Sequence, residues 1–113
     1  MRIVFIGDIV GRSGREAVST NLQNLKKKFN PDIIVANAEN AASGYGLTKK
    51  IAKDLFEQGI HILTLGNHAW DQREMLSFIE DCPKIVRAIN YPKEVPGKGD
   101  YKIVLQDGRS ILI

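Results

Sequence analysis

Ile33-Ile34-Val35-Ala36-Asn37-Ala38-Glu39-Asn40 is the stretch that decides the fold. The run from Ile33 to Asn37 is apolar almost throughout and rich in β-branched residues, as a strand buried on both faces should be. A carboxylate and an amide follow it at once. The same arrangement occurs twice more: Ile3 to Ile6 runs into Gly7-Asp8, and Ile60 to Leu65 runs into Gly66-Asn67-His68. Segments of helical period separate the three runs. Such alternation implies right-handed βαβ crossovers and a parallel sheet. All strands of a parallel sheet end on one edge, and α/β proteins place their sites there. Asp8, Glu39, Asn40, Asn67 and His68 are therefore expected to converge. Two carboxylates, two amides and an imidazole at one point repel or stay unsatisfied without a positive charge among them. A divalent metal site answers that need.

Working outward, Ser13-Gly14-Arg15-Glu16 fits a capping box that would start the first helix. Val18, Leu22, Leu25 and Phe29 give it one apolar stripe, and Asn30-Pro31-Asp32 stops it. Thr48 is the expected cap of a second helix facing the sheet through Ile51, Ala52, Leu55 and Phe56, with Gly59 ending it. Asp71-Gln72-Arg73-Glu74 offers a capping box for a third helix, which gives Asp71 a capping role rather than a metal. Ile85-Val86 allows a short strand. Tyr101 to Gln106 and Ser110 to Ile113, joined at Asp107-Gly108, read as a hairpin. The expected class is thus α/β, a parallel βαβαβα unit followed by a hairpin.

Composition narrows the function. The 113 residues, 43% hydrophobic and 26% charged, are ordinary for one globular core, without a linker that would divide it. No apolar run reaches the roughly 20 residues that cross a bilayer, and the acidic Asp8 comes too soon for a signal peptide. No membrane role is expected. The single cysteine, Cys82, excludes an internal disulfide and fits a cytoplasmic location, where it reads as a small half-buried filler. The net charge of +3 owes much to Lys26-Lys27-Lys28, which suits a helix C-terminus facing solvent. No aromatic residues interleave with these lysines, so a nucleic-acid polymer is not the expected partner.

Among the candidate ligands, Asp8 has a glycine before it that would allow close approach of other groups. Glu39 can bridge two ions through its two oxygens. Asn40 and Asn67 offer neutral carbonyl oxygens, which suit Mn, Mg or Fe and tolerate Zn with added imidazoles. His68, beside a ligand, is placed to give a hydrogen bond or proton to a leaving oxygen. His61 precedes the third strand at its far end and reads as structural. A dinucleotide fold is a poor rival. Gly7, Gly11 and Gly14 do not form G-x-G-x-x-G, and Asp8 would repel a pyrophosphate.

Gly7-Asp8-Ile9-Val10-Gly11, Ala38-Glu39-Asn40-Ala41-Ala42 and Gly66-Asn67-His68-Ala69-Trp70-Asp71 resemble the motifs of the calcineurin-like metallophosphoesterase superfamily, and more closely those of its bacterial YmdB-type branch. Agreement extends through Arg87-Ala88-Ile89-Asn90-Tyr91-Pro92 and Pro96-Gly97-Lys98-Gly99. The resemblance implies a four-layered α/β/β/α sandwich holding two divalent metal ions, commonly Fe or Mn, and hydrolysis of phosphodiesters including cyclic nucleotides. Carried over by position, Asp8 and Asn40 bind the first metal, Glu39 bridges both, Asn67 binds the second, and His68 assists the leaving group. Asp8-Ile9-Val10 lacks the histidine of the superfamily's Asp-x-His. The family's domain is about twice as long, and no histidine follows His68 here. Residues 1–113 are thus expected to be the N-terminal half of such a domain, and the apolar Ile111-Leu112-Ile113 ending suits a domain cut there. That half would be partnered by a C-terminal half or a second copy. The alternative is a truncated, inactive fragment acting at most as an interaction module.

Overall fold

The computed structural model describes residues 1–113. The deciding stretch forms a strand, β2 (Ile33–Asn37), whose Ile33, Ile34, Val35 and Ala36 are no more than 1% exposed. It lies between β1 (Ile3–Ile6) and β3 (Ile62–Thr64), and β4 (Ile85–Val86) pairs outside β3. All three pairings are parallel, so the sheet runs in chain order, β1-β2-β3-β4. The short fourth strand extends the expected βαβαβα unit by one more parallel strand.

Sequential order with crossovers of one hand puts every connecting helix on the same side. The packing agrees. Val18 and Leu22 of α1 (Gly11–Phe29), Ala52 and Leu55 of α2 (Lys49–Glu57), and Met75 and Phe78 of α3 (Met75–Phe78) share one core with Ile34, Ala36, Leu63 and Ile85. The alternate residues Ile33, Val35, Ile62 and Val86 face the other way. There Tyr101, Ile103, Leu105, Ile111 and Ile113 from a hairpin, β5 (Lys102–Val104) and β6 (Ser110–Leu112), pack against them. The result is helices, parallel sheet and a second β layer. This α/β arrangement, a parallel βαβαβα unit followed by a hairpin, is the class expected from the sequence. No helix is long and apolar enough to cross a membrane.

Several local expectations hold. The Thr48 hydroxyl accepts from the Ile51 amide at 3.2 Å, capping α2. Gly59 follows that helix at φ +99°, and a side chain there would also collide with the Lys26 ammonium, which donates to the Gln58 carbonyl at 2.6 Å. The hairpin turns at Gly108, φ +84°. Arg109 binds Asp107 at 2.6 Å and Asp32 at 2.9 Å, tying the turn to the entrance of β2. The Arg2 backbone amide, and then Arg109, hold the Asp32 carboxyl below its ordinary range; Arg109 does the same for Asp107.

Others need correction. α1 starts at Gly11, without a side-chain cap, because Gly11 adopts φ +57° and turns the chain directly into the helix. Ser13 therefore lies inside it. Phe29 leaves the buried stripe and is 39% exposed beneath Lys28. β3 is shorter than Ile60 to Leu65 because the Ile60 amide serves the end of α2, bonding the Leu55 carbonyl at 3.3 Å. α3 is a single turn entered at Glu74, so Asp71 caps nothing. Its carboxylate is engaged elsewhere.

Candidate functional site

Backbone hydrogen bonds carry the strand ends onward in register. The Ile9 amide bonds the Asn37 carbonyl at 3.0 Å, and the Ala38 amide bonds the Thr64 carbonyl at 3.0 Å. The loop after β1 thus lies on the end of β2, and the loop after β2 on the end of β3. The Asn40 carbonyl then accepts from both Gly11 and Gly44 at 2.9 Å, joining the first loop to the second.

Four of the five expected residues fall into two bonded groups, and Asn67 bonds to neither. In the first, the Asn40 amide nitrogen donates to an Asp8 carboxylate oxygen at 2.8 Å. This orientation keeps the Asn40 side-chain oxygen free of that contact. In the second, Glu39 accepts from the His68 backbone amide at 3.1 Å through one oxygen and from the Asn37 side-chain amide at 3.2 Å through the other. Asn37 also fixes the Glu39 backbone, its oxygen accepting from that amide at 3.1 Å. Glu39 and Asn40 are adjacent in the chain, which links the groups. Asn67, exposed, sits between Gly66 and His68 on the same rim.

Glycine matters at a different place from the one expected. A Cβ at Gly7 would meet nothing within 4 Å, so Gly7 is not needed for close approach beside Asp8. A Cβ at Gly66 would lie 2.6 and 2.8 Å from the two Glu39 carboxylate oxygens. Gly66 is the floor on which that carboxylate rests.

The His68 ring is oriented by Asp71, whose carboxylate lies 2.6 Å from Nδ1. A carboxylate partner takes an N–H, so Nδ1 carries a proton and Nε2 is the nitrogen turned toward other partners. The Tyr45 ring stands edge-on to the imidazole, centroids 6.0 Å apart. Below the rim, the Tyr91 hydroxyl donates to the Gly66 carbonyl at 3.3 Å, and Tyr91 packs edge-to-face on Trp70. The loop bearing Tyr91 is gathered by buried Arg87, whose guanidinium donates to the carbonyls of Ala88, Pro92, Val95 and Pro96 at 3.1–3.5 Å.

Asn37, Asp71, Tyr91 and Arg87 were not foreseen as parts of the site. Asn37 alone carried a signal: it is the one polar side chain of the β2 run. His61 is structural, as expected. Its Nδ1 accepts from the Ile34 amide at 2.9 Å, continuing the β2–β3 ladder at the opposite end of the strands. Cys82 is half-buried, and burial pushes its thiol upward, away from reactivity.

Neither Asp8 nor Glu39 has an ion pair with lysine, arginine or histidine. No three His, Cys, Asp or Glu side chains cluster as a ready-made metal site. The donor set is instead two carboxylates and two amides. Oxygen donors of this kind, with uncompensated negative charge, fit a hard divalent cation.

Comparison with known proteins gives consistent results. Over 99 residues the chain is 48% identical to the 2′,3′-cyclic-nucleotide 2′-phosphodiesterase of Bacillus subtilis, covering 88% of this chain and 38% of that protein. A crystal structure of a hypothetical protein from Thermus thermophilus superposes with TM-score 0.89 and 38% identity, covering 99% of this chain and 43% of that one. A Mycoplasma pneumoniae protein described as a novel phosphatase superposes with TM-score 0.86 and 32% identity, covering 94% and 39% respectively. The chain spans less than half the length of each of these proteins. A model of the YmdB-like protein family matches residues 4–113, in agreement with the resemblance read from the three motifs, and the chain belongs to that family.

Proposed function

We propose that this chain carries the N-terminal half of a metal-dependent phosphodiesterase site acting on phosphodiesters or cyclic nucleotides. One observation carries the reading. Glu39 is held by the His68 and Asn37 amides over the floor of Gly66, beside the Asp8–Asn40 pair, and no cation of the protein answers these charges.

Asp8 and Asn40 would hold one divalent ion, Asn67 a second, and Glu39 would bridge the two. Mn or Fe suits this oxygen-rich set, and Mg or Zn remains compatible with it. Such a pair supplies an activated water and neutralises charge on the phosphoryl oxygens. The chain's own contribution is orientation. Asn37 and Gly66 fix the direction of the Glu39 carboxylate. Asp71 holds the His68 ring through Nδ1 so that Nε2 is the atom offered to the leaving oxygen, and the doubly protonated ring would donate a hydrogen bond or proton there. Four oxygen-bearing side chains do not complete two coordination spheres. The remaining donors would come from the part of the domain that this chain does not span. By itself the chain is then a binding half-site with little turnover.

Titration calorimetry with Mn²⁺ tests the reading. Binding should be weak and should fall further in Glu39→Gln and Asp8→Ala, but not in Glu57→Gln, which alters only the surface pair with Lys53. Equal affinity in all four proteins, or no binding in any, would overturn it. In a protein that completes the domain, His68→Ala should lower turnover by about 10²–10⁴-fold with metal content retained.

A further inference from the structure

We infer that Tyr45 is the nucleobase platform of this site, the residue that makes a nucleotide a better ligand than a bare sugar phosphodiester. The inference rests on the phosphodiesterase reading above and adds the part of the substrate recognised.

Tyr45 is 63% exposed between anchors that are fully buried, Ala41 on one side and Leu47 on the other. Exposure of one aromatic ring is ordinary; the loop that presents it is not. Ser43, Gly44 and Gly46 all have positive φ, at 56°, 88° and 77°. For Ser43 that conformation is disfavoured and needs outside support. The loop has such support. The Tyr45 amide bonds the Ala42 carbonyl at 3.0 Å, and the Ala42 amide bonds the Gly46 carbonyl at 2.9 Å. Gly44 bonds the Asn40 carbonyl, so the loop hangs directly from a candidate ligand residue. The Gln72 side chain donates to the Tyr45 carbonyl at 2.7 Å, and its Cγ would lie 2.9 Å from any Cβ on Gly46. Arg15 braces the near side through the Ala41 carbonyl.

These contacts hold the backbone on both sides while leaving the ring open. They also set it edge-on to His68, the residue assigned to the leaving oxygen. In a nucleoside phosphodiester the base is joined to the phosphate through one sugar ring. A phosphate beside His68 therefore puts the base within reach of an aromatic face next to that histidine. Stacking accepts any base and asks for no hydrogen-bond partner on the protein, which suits a lone tyrosine on a polar rim.

The test is NMR titration of the full chain with Mg²⁺ present, following the backbone amides of Tyr45, Asn67 and His68. One probe is 2′,3′-cyclic AMP; the other is methyl ribofuranoside 2,3-cyclic phosphate, which lacks the base. The cyclic nucleotide should bind about 5- to 100-fold more tightly than the baseless ester. Tyr45→Phe should keep that advantage. Tyr45→Ala should abolish it and leave affinity for the baseless ester unchanged. If both probes bind wild type alike, or Tyr45→Ala keeps the advantage, the platform is refuted while the phosphodiester site stands. If neither probe shifts Asn67 or His68, the phosphodiester site itself is refuted and the platform with it.

Discussion

Gly66→Ala isolates the geometry of the candidate site. Gly66 has ordinary negative backbone geometry, so alanine brings no conformational strain of its own. Its methyl carbon would lie 2.6 and 2.8 Å from the Glu39 oxygens and 3.0 Å from the carboxylate carbon. Regaining ordinary contact at 3.4 Å requires the carboxylate to withdraw by about 0.6–0.8 Å. That movement stretches the bonds from His68 and Asn37, now 3.1 and 3.2 Å, beyond useful length. Hydrogen bonds to a charged group contribute about 1.5–3 kcal/mol each, and water reaching this half-buried carboxylate offsets part of the loss. A net destabilisation of about 2–4 kcal/mol follows. For a domain of this size it should lower the melting temperature by roughly 8–17 °C. Gly7→Ala is the matched control, since its Cβ meets nothing within 4 Å. It should be neutral or slightly stabilising. Urea unfolding of the two variants reads the difference directly, and Mn²⁺ calorimetry should show the loss of binding in Gly66→Ala alone. Stability of the two variants within about 0.5 kcal/mol of each other, with metal binding intact, would refute the claim that Gly66 positions Glu39.

Asp71→Ala should release the His68 ring with little loss of stability, because the two side chains are 35% and 33% exposed. Nitrogen-15 spectra of the ring should then move from one Nδ1–H tautomer toward a mixture, and an unchanged spectrum would deny Asp71 its orienting role. Arg87→Met leaves the loop carbonyls without their common donor and should cost about 2–4 kcal/mol in urea unfolding; a loss below about 1 kcal/mol would show that other contacts hold the loop. His61 gives a pH dependence. Burial first, and then Lys26 and Lys84, hold its folded pKa below the ordinary 6.5, and its Nδ1 must be bare to accept from Ile34. The unfolded chain therefore takes up the proton first, and stability falls as pH drops below about 6.5 toward the folded value. The slope should stay well under the ~1.4 kcal/mol per pH unit of one full proton, since the outer edge of the ring meets solvent. His61→Gln should flatten it.

The parallel sheet was legible because its evidence is repeated and local. Three apolar runs, each followed by polar groups, permit few other readings, and the burial of Ile33 through Ala36 on both faces repeats what their composition implies. The errors lie where local rules compete with tertiary partners. Asp71 and Glu74 have the spacing of a capping box, but Asp71 finds the His68 ring at 2.6 Å and Glu74 accepts from the Lys49 amide at 3.2 Å. With both acids taken, the third helix shrinks to one turn. Ser13 yields in the same way, because Gly11 at φ +57° starts the helix before any cap can act.

Gly7 and Gly66 show why the support of a site is harder to read than its ligands. Each is a glycine at the end of a strand, directly before a candidate ligand, and the sequence offers no ground for ranking them. The distinction arises from the order of the strands. β1 is an edge strand, so the space beside Gly7 opens to solvent, whereas β3 lies inside the sheet next to β2, whose following loop carries Glu39 across to Gly66. The same placement explains Asn37. Its register partner is Thr64, and from the last position of β2 it holds Glu39 through both backbone and side chain. Ligand types can thus be read from strand ends, because the chemistry of a cation limits them to a few residues. The residues that aim those ligands are chosen by neighbours across the sheet, and only the completed β2–β3 pairing brings them into contact.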